Sequence, residues 1–367
     1  MVNQAPPATT HRSRTRLLVQ GVLSLVLVVA IFYFLRKKFD PAQMWTVISA
    51  MTWLELAILG LLAVWNLCTY AFVWMSVTPG LGFWRAMVMT QATTAVANTV
   101  PAGSAIGIGM TYSMLGSWGY SRSRTTTAVL VSGVWNSFIK LAMPVLALAL
   151  VALQGGATGG RILAALLGIA GLVAAIVVFA LLLHSAEQAR RFGVLAGRAA
   201  SRLRGLVGRR PVAGWELATV KFRDRTIDLV EHRWIAITVT SLVSHLSLYA
   251  VLLVALRDVG VSDAEVGWAE VLAVFAFARL ATAIPLTPGG LGFVEGVLAI
   301  GLVGAGGDPD QVAAAVLIYR GLTWALPILV GVGCYGWWRR RSWTSRPHQA
   351  QHGRAQVTTS PHRPTRG

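Results

Sequence analysis

The chain has 367 residues, of which 55% are hydrophobic and only 13% are charged. This composition, spread over several long apolar runs, excludes a soluble globular protein and predicts an all-α polytopic membrane protein. The formal net charge of +18 would favour a nucleic-acid partner in a soluble domain. In a membrane protein it first indicates basic cytoplasmic loops, so we expect no nucleic acid to bind.

The N-terminal part of the chain predicts a tail followed by two membrane spans. Residues 1–16 are polar and basic, which is typical of a disordered tail. The apolar run Leu17–Leu35 is longer than the core of a signal peptide, and basic residues 36–38 follow it instead of a small-residue cleavage site. It therefore predicts a retained first span, and Trp53–Ser76, with a tryptophan near each end, predicts the second.

A helix break is predicted after the second span. Two apolar limbs, Phe83–Asn98 and Ile106–Leu115, flank the sequence Pro101-Ala102-Gly103. Each limb is short compared with the roughly 20 residues that a crossing helix needs. Proline and glycine between them are poor residues for continuing a helix. We therefore expect either a re-entrant hairpin or two tilted half-helices, broken at Pro101 and Gly103.

The middle of the chain predicts two spans and then a large basic segment. Thr126–Leu153 carries Lys140 at mid-span, and Ile162–Leu183 returns across the membrane after an uncharged turn. Ser185–Arg233 holds ten arginines and one lysine against five acids, so we expect it to be cytoplasmic. Its apolar residues recur at helical spacing, which favours an amphipathic helix on an anionic leaflet over a calmodulin-like or nucleic-acid-binding helix.

A second helix break lies between apolar runs, after the span Trp234–Leu256 and a mixed-charge turn. Its prolines and glycines are Pro285, Pro288, Gly289, Gly290 and Gly292. Broken backbone in a bilayer is tolerated only where it is buried in protein or lines a wet cavity. Ionisable residues at that depth are usually functional, and both Glu295 and Arg279 lie within a few residues of the break.

The last predicted span, Val312–Trp338, carries Arg320 and precedes a polar tail, residues 342–367. Glu295 and Arg320 stand on consecutive elements at similar distances from the acidic turn between them, so we expect them to pair. The pair is either a structural salt bridge or a site in which the arginine grips a lipid phosphate. The candidate substrate-binding residues are Glu295, Arg320, Arg279, Lys140 and Asn98.

Patterns for catalysis and metal binding are missing from the sequence. No group of histidine, cysteine or carboxylate residues has ligand spacing. No nucleophile elbow, P-loop or dinucleotide fingerprint is present either. We therefore expect a protein that is not an enzyme and that carries no metal or cofactor.

The two breaks belong to a candidate internal repeat. A shift of 187 residues produces eight identities over residues 101–130, at Pro101, Gly103, Gly109, Leu115, Gly119 and residues 128–130. With the basic segment and both termini cytoplasmic, the first hairpin begins and ends inside the cell and the second outside, although residues 36–38 then also fall outside. Opposed copies with discontinuous helices predict an inverted repeat, as in alternating-access or lipid-moving folds.

The string Ile284–Glu295, the run Ala315–Arg320 and the weaker element Pro101-Ala102-Gly103 together resemble a known family. It is the membrane region of bacterial lysylphosphatidylglycerol synthases, a flippase-like domain family that also occurs alone. The resemblance covers about residues 17–341, which we take as one membrane domain. The first hairpin differs from the second because no acidic residue stands beside its break. If the family needs a carboxylate at this place, Asn98 or Lys140 would have to substitute for it here.

The resemblance implies a multi-pass protein of the bacterial inner membrane that moves a phospholipid or lipid-linked headgroup between leaflets. Its partner would be an anionic phospholipid or a polyprenyl-linked lipid. In two-domain members a soluble domain adds lysine to phosphatidylglycerol. Only a short tail follows the last span here, so we expect no synthase activity. The alternatives are a small-solute or ion transporter and a non-transporting accessory protein in envelope glycolipid assembly.

Overall fold

The computed structural model describes residues 41–100, 103–155, 159–205, 215–282 and 287–344, and every element of this part of the chain is helical. The predicted first span, Leu17–Leu35, lies outside the described residues, as do residues 1–16, Pro101, Pro285 and most of the predicted C-terminal tail.

The helices follow one another with short connections. In chain order they are α1 (Pro41–Ser49), α2 (Trp53–Val77), α3 (Phe83–Thr99), α4 (Gly103–Ser117), α5 (Arg122–Leu153), α6 (Gly159–His184), α7 (Ala186–Gly205), α8 (Trp215–Asp258), α9 (Trp268–Ala281), α10 (Phe293–Gly304), α11 (Pro309–Arg320) and α12 (Leu326–Thr344). Within the described residues, five segments are long and apolar enough to cross a membrane: Trp53–Val77, Arg122–Leu153, Ile162–Leu181, Phe222–Asp258 and Pro309–Arg341. The prediction of an all-α, multi-pass membrane protein is therefore confirmed.

Local capping fixes the start of several helices. At α2 the Glu55 N–H donates to the Thr52 hydroxyl at 3.4 Å, and the Thr52 N–H donates to the Glu55 carboxylate at 2.7 Å. At α11 the Asp308 carboxylate accepts from two backbone N–H groups at 3.0 Å, and Pro309 follows in the first helical position. These contacts satisfy N–H groups that have no partner inside the helix.

The basic segment Ser185–Arg233 is not a single unit. Its first part is the predicted amphipathic helix, α7, but its last part is the beginning of α8, which starts at Trp215 rather than at the predicted Trp234. The early start has a packing reason. Leu229 is buried in a cluster with Val131 and Trp135 of α5, and Phe222 and Val230 pack against it.

The last predicted span contains a change of helix type. A five-residue π-helical segment, Gly321–Ala325, joins α11 to α12 directly after Arg320. Such segments place one extra residue in a turn and are frequent at functional sites. The predicted span Val312–Trp338 is present within Pro309–Arg341, and the sequence did not predict the π-helical segment inside it.

Helices α3 and α4 form a first hairpin that rests on close backbone contact. Gly103 and Gly107 of α4 face the backbone of α3, and a Cβ on Gly107 would lie 3.2 Å from the Thr93 carbonyl oxygen. At the open end of this hairpin the Arg85 guanidinium carbon lies 5.9 Å from the centre of the Trp118 ring. The same end contacts the end of α12, where the Trp338 indole N–H donates to the Ser117 hydroxyl at 3.1 Å.

Helices α9 and α10 form a second hairpin in the same way. Gly301 of α10 packs against Val274 of α9, where a Cβ would come within 2.5 Å of a valine methyl carbon. Its open end lies beside the start of α11, because Gly307 packs against both Val266 and Val312. The open ends of the two hairpins therefore lie at opposite ends of the α11–α12 rod.

The closed ends of the two hairpins meet. Gly289, at the break of the second hairpin, faces Asn98, at the end of α3, and a Cβ on Gly289 would lie 2.9 Å from the Asn98 side-chain oxygen. This arrangement brings both breaks to one place inside the bundle. The pseudo-two-fold symmetry of an inverted repeat and the re-entry of the hairpins into the membrane stay predictions.

Candidate functional site

The second break is a glycine turn with left-handed backbone. Gly289, Gly290 and Gly292 have φ of 60°, 69° and 78°, a region that side chains other than glycine rarely adopt. The turn satisfies its own polar groups, because the Thr287 hydroxyl donates to the Leu291 carbonyl at 2.8 Å and the Gly290 N–H donates to the Thr287 carbonyl at 3.1 Å. No α-helix runs through residues 287–292, the described part of this break.

The first break is visible at its two edges. Helix α3 ends at Thr99, Val100 is extended with φ of −109° and ψ of 137°, and α4 begins at Gly103. Pro101 lies between these edges and outside the described residues. Asn98 is half-buried in the last turn of α3, where it faces Gly289.

Glu295 and Arg320 form a largely buried ion pair beside the glycine turn. The Arg320 Nε–H donates to Glu295 Oε1 at 2.7 Å, and the side chains are 12% and 13% exposed for Arg320 and Glu295 respectively. A second guanidinium nitrogen, Nη2, donates to the Gly289 carbonyl at 3.1 Å. The predicted contact is therefore present, and the arginine also holds the break against α10 and α11.

The ion pair leaves polar groups without a protein partner. Glu295 Oε2 and the indole Nε1 of Trp324 are buried, and neither has a hydrogen-bond partner among the described residues. Trp324 belongs to the π-helical segment, and the guanidinium carbon of Arg320 lies 5.9 Å from its ring centre. Buried polar groups are normally hydrogen-bonded. One acceptor and one donor therefore remain for a molecule that enters this place.

Lys140 and Arg279 meet at Thr282, near the glycine turn, since a Cβ on Gly290 would lie 3.9 Å from the Thr282 methyl carbon. The Lys140 ammonium donates to the Thr282 hydroxyl at 3.0 Å, and that hydroxyl donates to the Arg279 carbonyl at 2.6 Å.

Contacts thus link the predicted residues into two sets, a pair site and a cationic group, and both sets reach the glycine turn. The pair site contains Glu295, Arg320, Asn98 and the glycine turn. The cationic group contains Lys140 and Arg279. Sequence reasoning missed Trp324 and Tyr319, although both stand within four residues of Arg320 in the predicted span Val312–Trp338.

No group of three or more histidine, cysteine or carboxylate side chains that could hold a metal ion occurs within the described residues. A search among curated proteins finds no match to the chain. The profile of one family, described as the lysylphosphatidylglycerol synthase TM region, matches residues 21–331. The matched part contains both hairpins, the pair site and the cationic group.

Proposed function

Because the chain belongs to the lysylphosphatidylglycerol synthase TM-region family, we propose that it binds a membrane phospholipid and moves its headgroup between leaflets. The observation that supports this most is the buried Glu295–Arg320 pair, held at the point where two broken hairpins meet. A charged side chain at the bilayer centre costs roughly 2.5–3.5 kcal/mol on insertion scales, so charges there usually serve a substrate pathway.

The pair site offers the contacts that a phospholipid headgroup needs. A guanidinium has five N–H donors, and the structure shows two donor contacts from Arg320, to Glu295 and Gly289. The remaining donors suit phosphate oxygens, which arginine binds as a planar fork. Glu295 Oε2 can accept from a headgroup hydroxyl or amine, and the Trp324 indole N–H can donate to a further oxygen.

The arrangement of the hairpins supports movement as well as binding. Their open ends lie at opposite ends of the α11–α12 rod, while their closed ends meet beside the ion pair. We propose that each hairpin controls access to the pair site from one side of the membrane, as in alternating-access proteins built from discontinuous helices. The substrate would be an anionic phospholipid or a polyprenyl-linked lipid, and the protein would act without catalysing a reaction.

Lipid exchange by purified protein in vesicles tests this function. We expect wild-type protein to speed the movement of a fluorescent anionic phospholipid between leaflets, measured by chemical quenching of the outer leaflet. Arg320→Lys should lose most of this activity, because lysine keeps the charge but not the fork. Arg124→Lys is the matched control, since Arg124 is exposed at the start of α5.

Two results would count against the proposal. If vesicles with the wild-type protein exchanged lipid no faster than empty vesicles, the proposed lipid movement would be refuted. If Arg320→Lys exchanged lipid at the wild-type rate, the arginine would not bind the headgroup and would be only the structural partner of Glu295.

A further inference from the structure

The junction between α11 and α12 combines three features that weaken a helix. Gly321, a weak helix former, begins the π-helical segment. The Leu326 N–H donates to the Gly321 carbonyl five residues earlier, whereas an α-helix uses the carbonyl four residues earlier. Pro327 follows at once and has no N–H to donate to the preceding turn. Since proline and π-bulges are among the usual causes of bends in helices, the α11–α12 rod has its weakest backbone here.

Side-chain packing does not stiffen this junction. No residue of Gly321–Ala325, a segment that the structure describes in full, is completely buried. A Cβ on Gly321 would meet no atom within 4 Å. The Thr323 hydroxyl donates to the Tyr319 carbonyl at 2.7 Å, which is a bond inside the rod itself. The backbone can therefore bend here without opening a packed core.

Helix α11, before the junction, is packed into the second hairpin. Its buried residues share one apolar core with α9 and α10. The Tyr319 ring packs edge-on against Phe275 of α9, with 6.5 Å between the ring centres. Arg320, the last residue of α11, binds Glu295 of α10. The rod up to Arg320 therefore forms one unit with the second hairpin.

Helix α12, after the junction, is packed on the first hairpin instead. Gly331 lies on the backbone of Gln91 in α3. Trp338 packs against an apolar core built mainly by α3 and α4, and its indole N–H donates to the Ser117 hydroxyl of α4 at 3.1 Å. The rod beyond Pro327 therefore forms one unit with the first hairpin.

We propose that residues Gly321–Pro327 are a hinge, about which α12 and the first hairpin move against α11 and the second hairpin. The closed ends of the hairpins meet beside this hinge, because a Cβ on Gly289 would lie 2.5 Å from Trp324 Nε1 and 2.9 Å from the Asn98 side-chain oxygen. Bending moves Trp324 relative to Arg320, whose guanidinium carbon is 5.9 Å from the Trp324 ring centre. The hinge stands on these contacts, whereas its use for lipid access rests on the proposed function.

The length of α12 sets the size of the motion. From Leu326 to Trp338 the helix forms a lever about 18 Å long at 1.5 Å per residue. A turn of about 20° at the hinge would move the far end of this lever by roughly 6 Å. Such a motion would also break the bond between the Tyr112 and Thr126 hydroxyls, which lie 2.8 Å apart and join α4 to α5.

Two glycine-to-alanine changes in the full chain test the hinge. Gly321 has helical backbone, with φ of −54° and ψ of −47°, so Gly321→Ala fits without a clash and favours the straight helix. Gly333→Ala is the matched control, because Gly333 is equally free of contacts but lies within α12, beyond the hinge. Spin labels on cysteines that replace the exposed residues Trp84 and Ile300 report the distance between the two units, in a cysteine-free background in lipid nanodiscs.

We expect two conformations in the distance distribution of the protein that keeps both glycines. Gly321→Ala should reduce the population of the bent conformation about fivefold, the factor that corresponds to the helix propensities of glycine and alanine. It should slow lipid exchange by a similar factor, and Gly333→Ala should change neither quantity. Both variants should unfold at the wild-type temperature or above, which separates a loss of motion from a loss of fold.

The hinge is overturned if the protein that keeps both glycines shows a single narrow distance, or if Gly321→Ala changes the distribution no more than Gly333→Ala does. If Gly321→Ala removes the bent conformation without slowing exchange, the hinge takes no part in lipid access. If it removes the bent conformation while the wild-type protein exchanges no lipid, the proposed transport is rejected and the hinge remains.

Discussion

Removing Arg320 alone, and then both charges of the pair site together, separates the role of the pair in stability from its role in transport. In Arg320→Ala the Glu295 carboxylate, which is 13% exposed in the wild-type protein, loses its partner. Removing one member of a buried pair costs about 3–5 kcal/mol. The loss of the bond to the Gly289 carbonyl adds about 1 kcal/mol, because this bond also holds the glycine turn.

The double variant Arg320→Met with Glu295→Leu should behave differently. Replacing both charges by apolar side chains of similar volume is often neutral or stabilises a protein by about 1–4 kcal/mol. We therefore expect it to unfold close to wild type in a reversible detergent titration, although it still lacks the bond to Gly289. In vesicles it should nevertheless move no anionic lipid.

Two results would contradict this description of the Glu295–Arg320 pair. If Arg320→Ala costs less than about 1 kcal/mol, the pair is as weak as an exposed salt bridge and is not desolvated. If the double variant is stable and exchanges lipid as wild type does, the charges take no part in transport.

Two more predictions concern the glycine turn and the orientation of the chain. Gly289→Ala should destabilise the fold by about 1–2 kcal/mol for its left-handed backbone and roughly 1–3 kcal/mol more for overpacking, since the new Cβ would lie 2.5 Å from Trp324 Nε1. Gly296→Ala, with nothing within 4 Å of the new Cβ, should unfold as wild type does or slightly later. In a cysteine-free background, an impermeant thiol reagent should label Gln154→Cys in intact cells but not Arg198→Cys, and the reverse pattern would invert the topology.

The breaks and the ion pair could be predicted because their residue types are unfavourable inside apolar membrane segments. Proline and glycine in an apolar run leave backbone groups unsatisfied, and a lone Glu295 or Arg320 at that depth needs a partner. The depth of each residue follows from the rise of a helix, counted from the turn at Asp308. These arguments use only local composition and distance along the chain, so one sequence is enough to make them.

Other features depend on packing between distant segments. No characteristic residue type marks the π-helical segment Gly321–Ala325 in the sequence. Contacts on both sides of it fix the helix, because Arg320 binds Glu295 before the segment and Gly331 packs on the Gln91 backbone after it. The early start of α8 depends on contacts with α5. The polar residues around Arg225 make this part of the sequence look like a loop, so hydropathy does not predict the contacts. The link from Lys140 through Thr282 to the Arg279 carbonyl joins α5 to α9, and distance along the chain does not predict it.

Helix α8 also has a mechanical consequence. Its 44 residues, at 1.5 Å each, form a rod roughly 66 Å long, whereas a bilayer with its headgroups is about 40–45 Å thick. The excess, roughly 20 Å, must stand in water if the rod crosses close to the membrane normal. A tilt of about 10° would carry one end of a rod of this length through roughly 11 Å. A spin label on exposed Arg225, near the start of α8, would turn small rearrangements among the buried helices into distances that spectroscopy resolves.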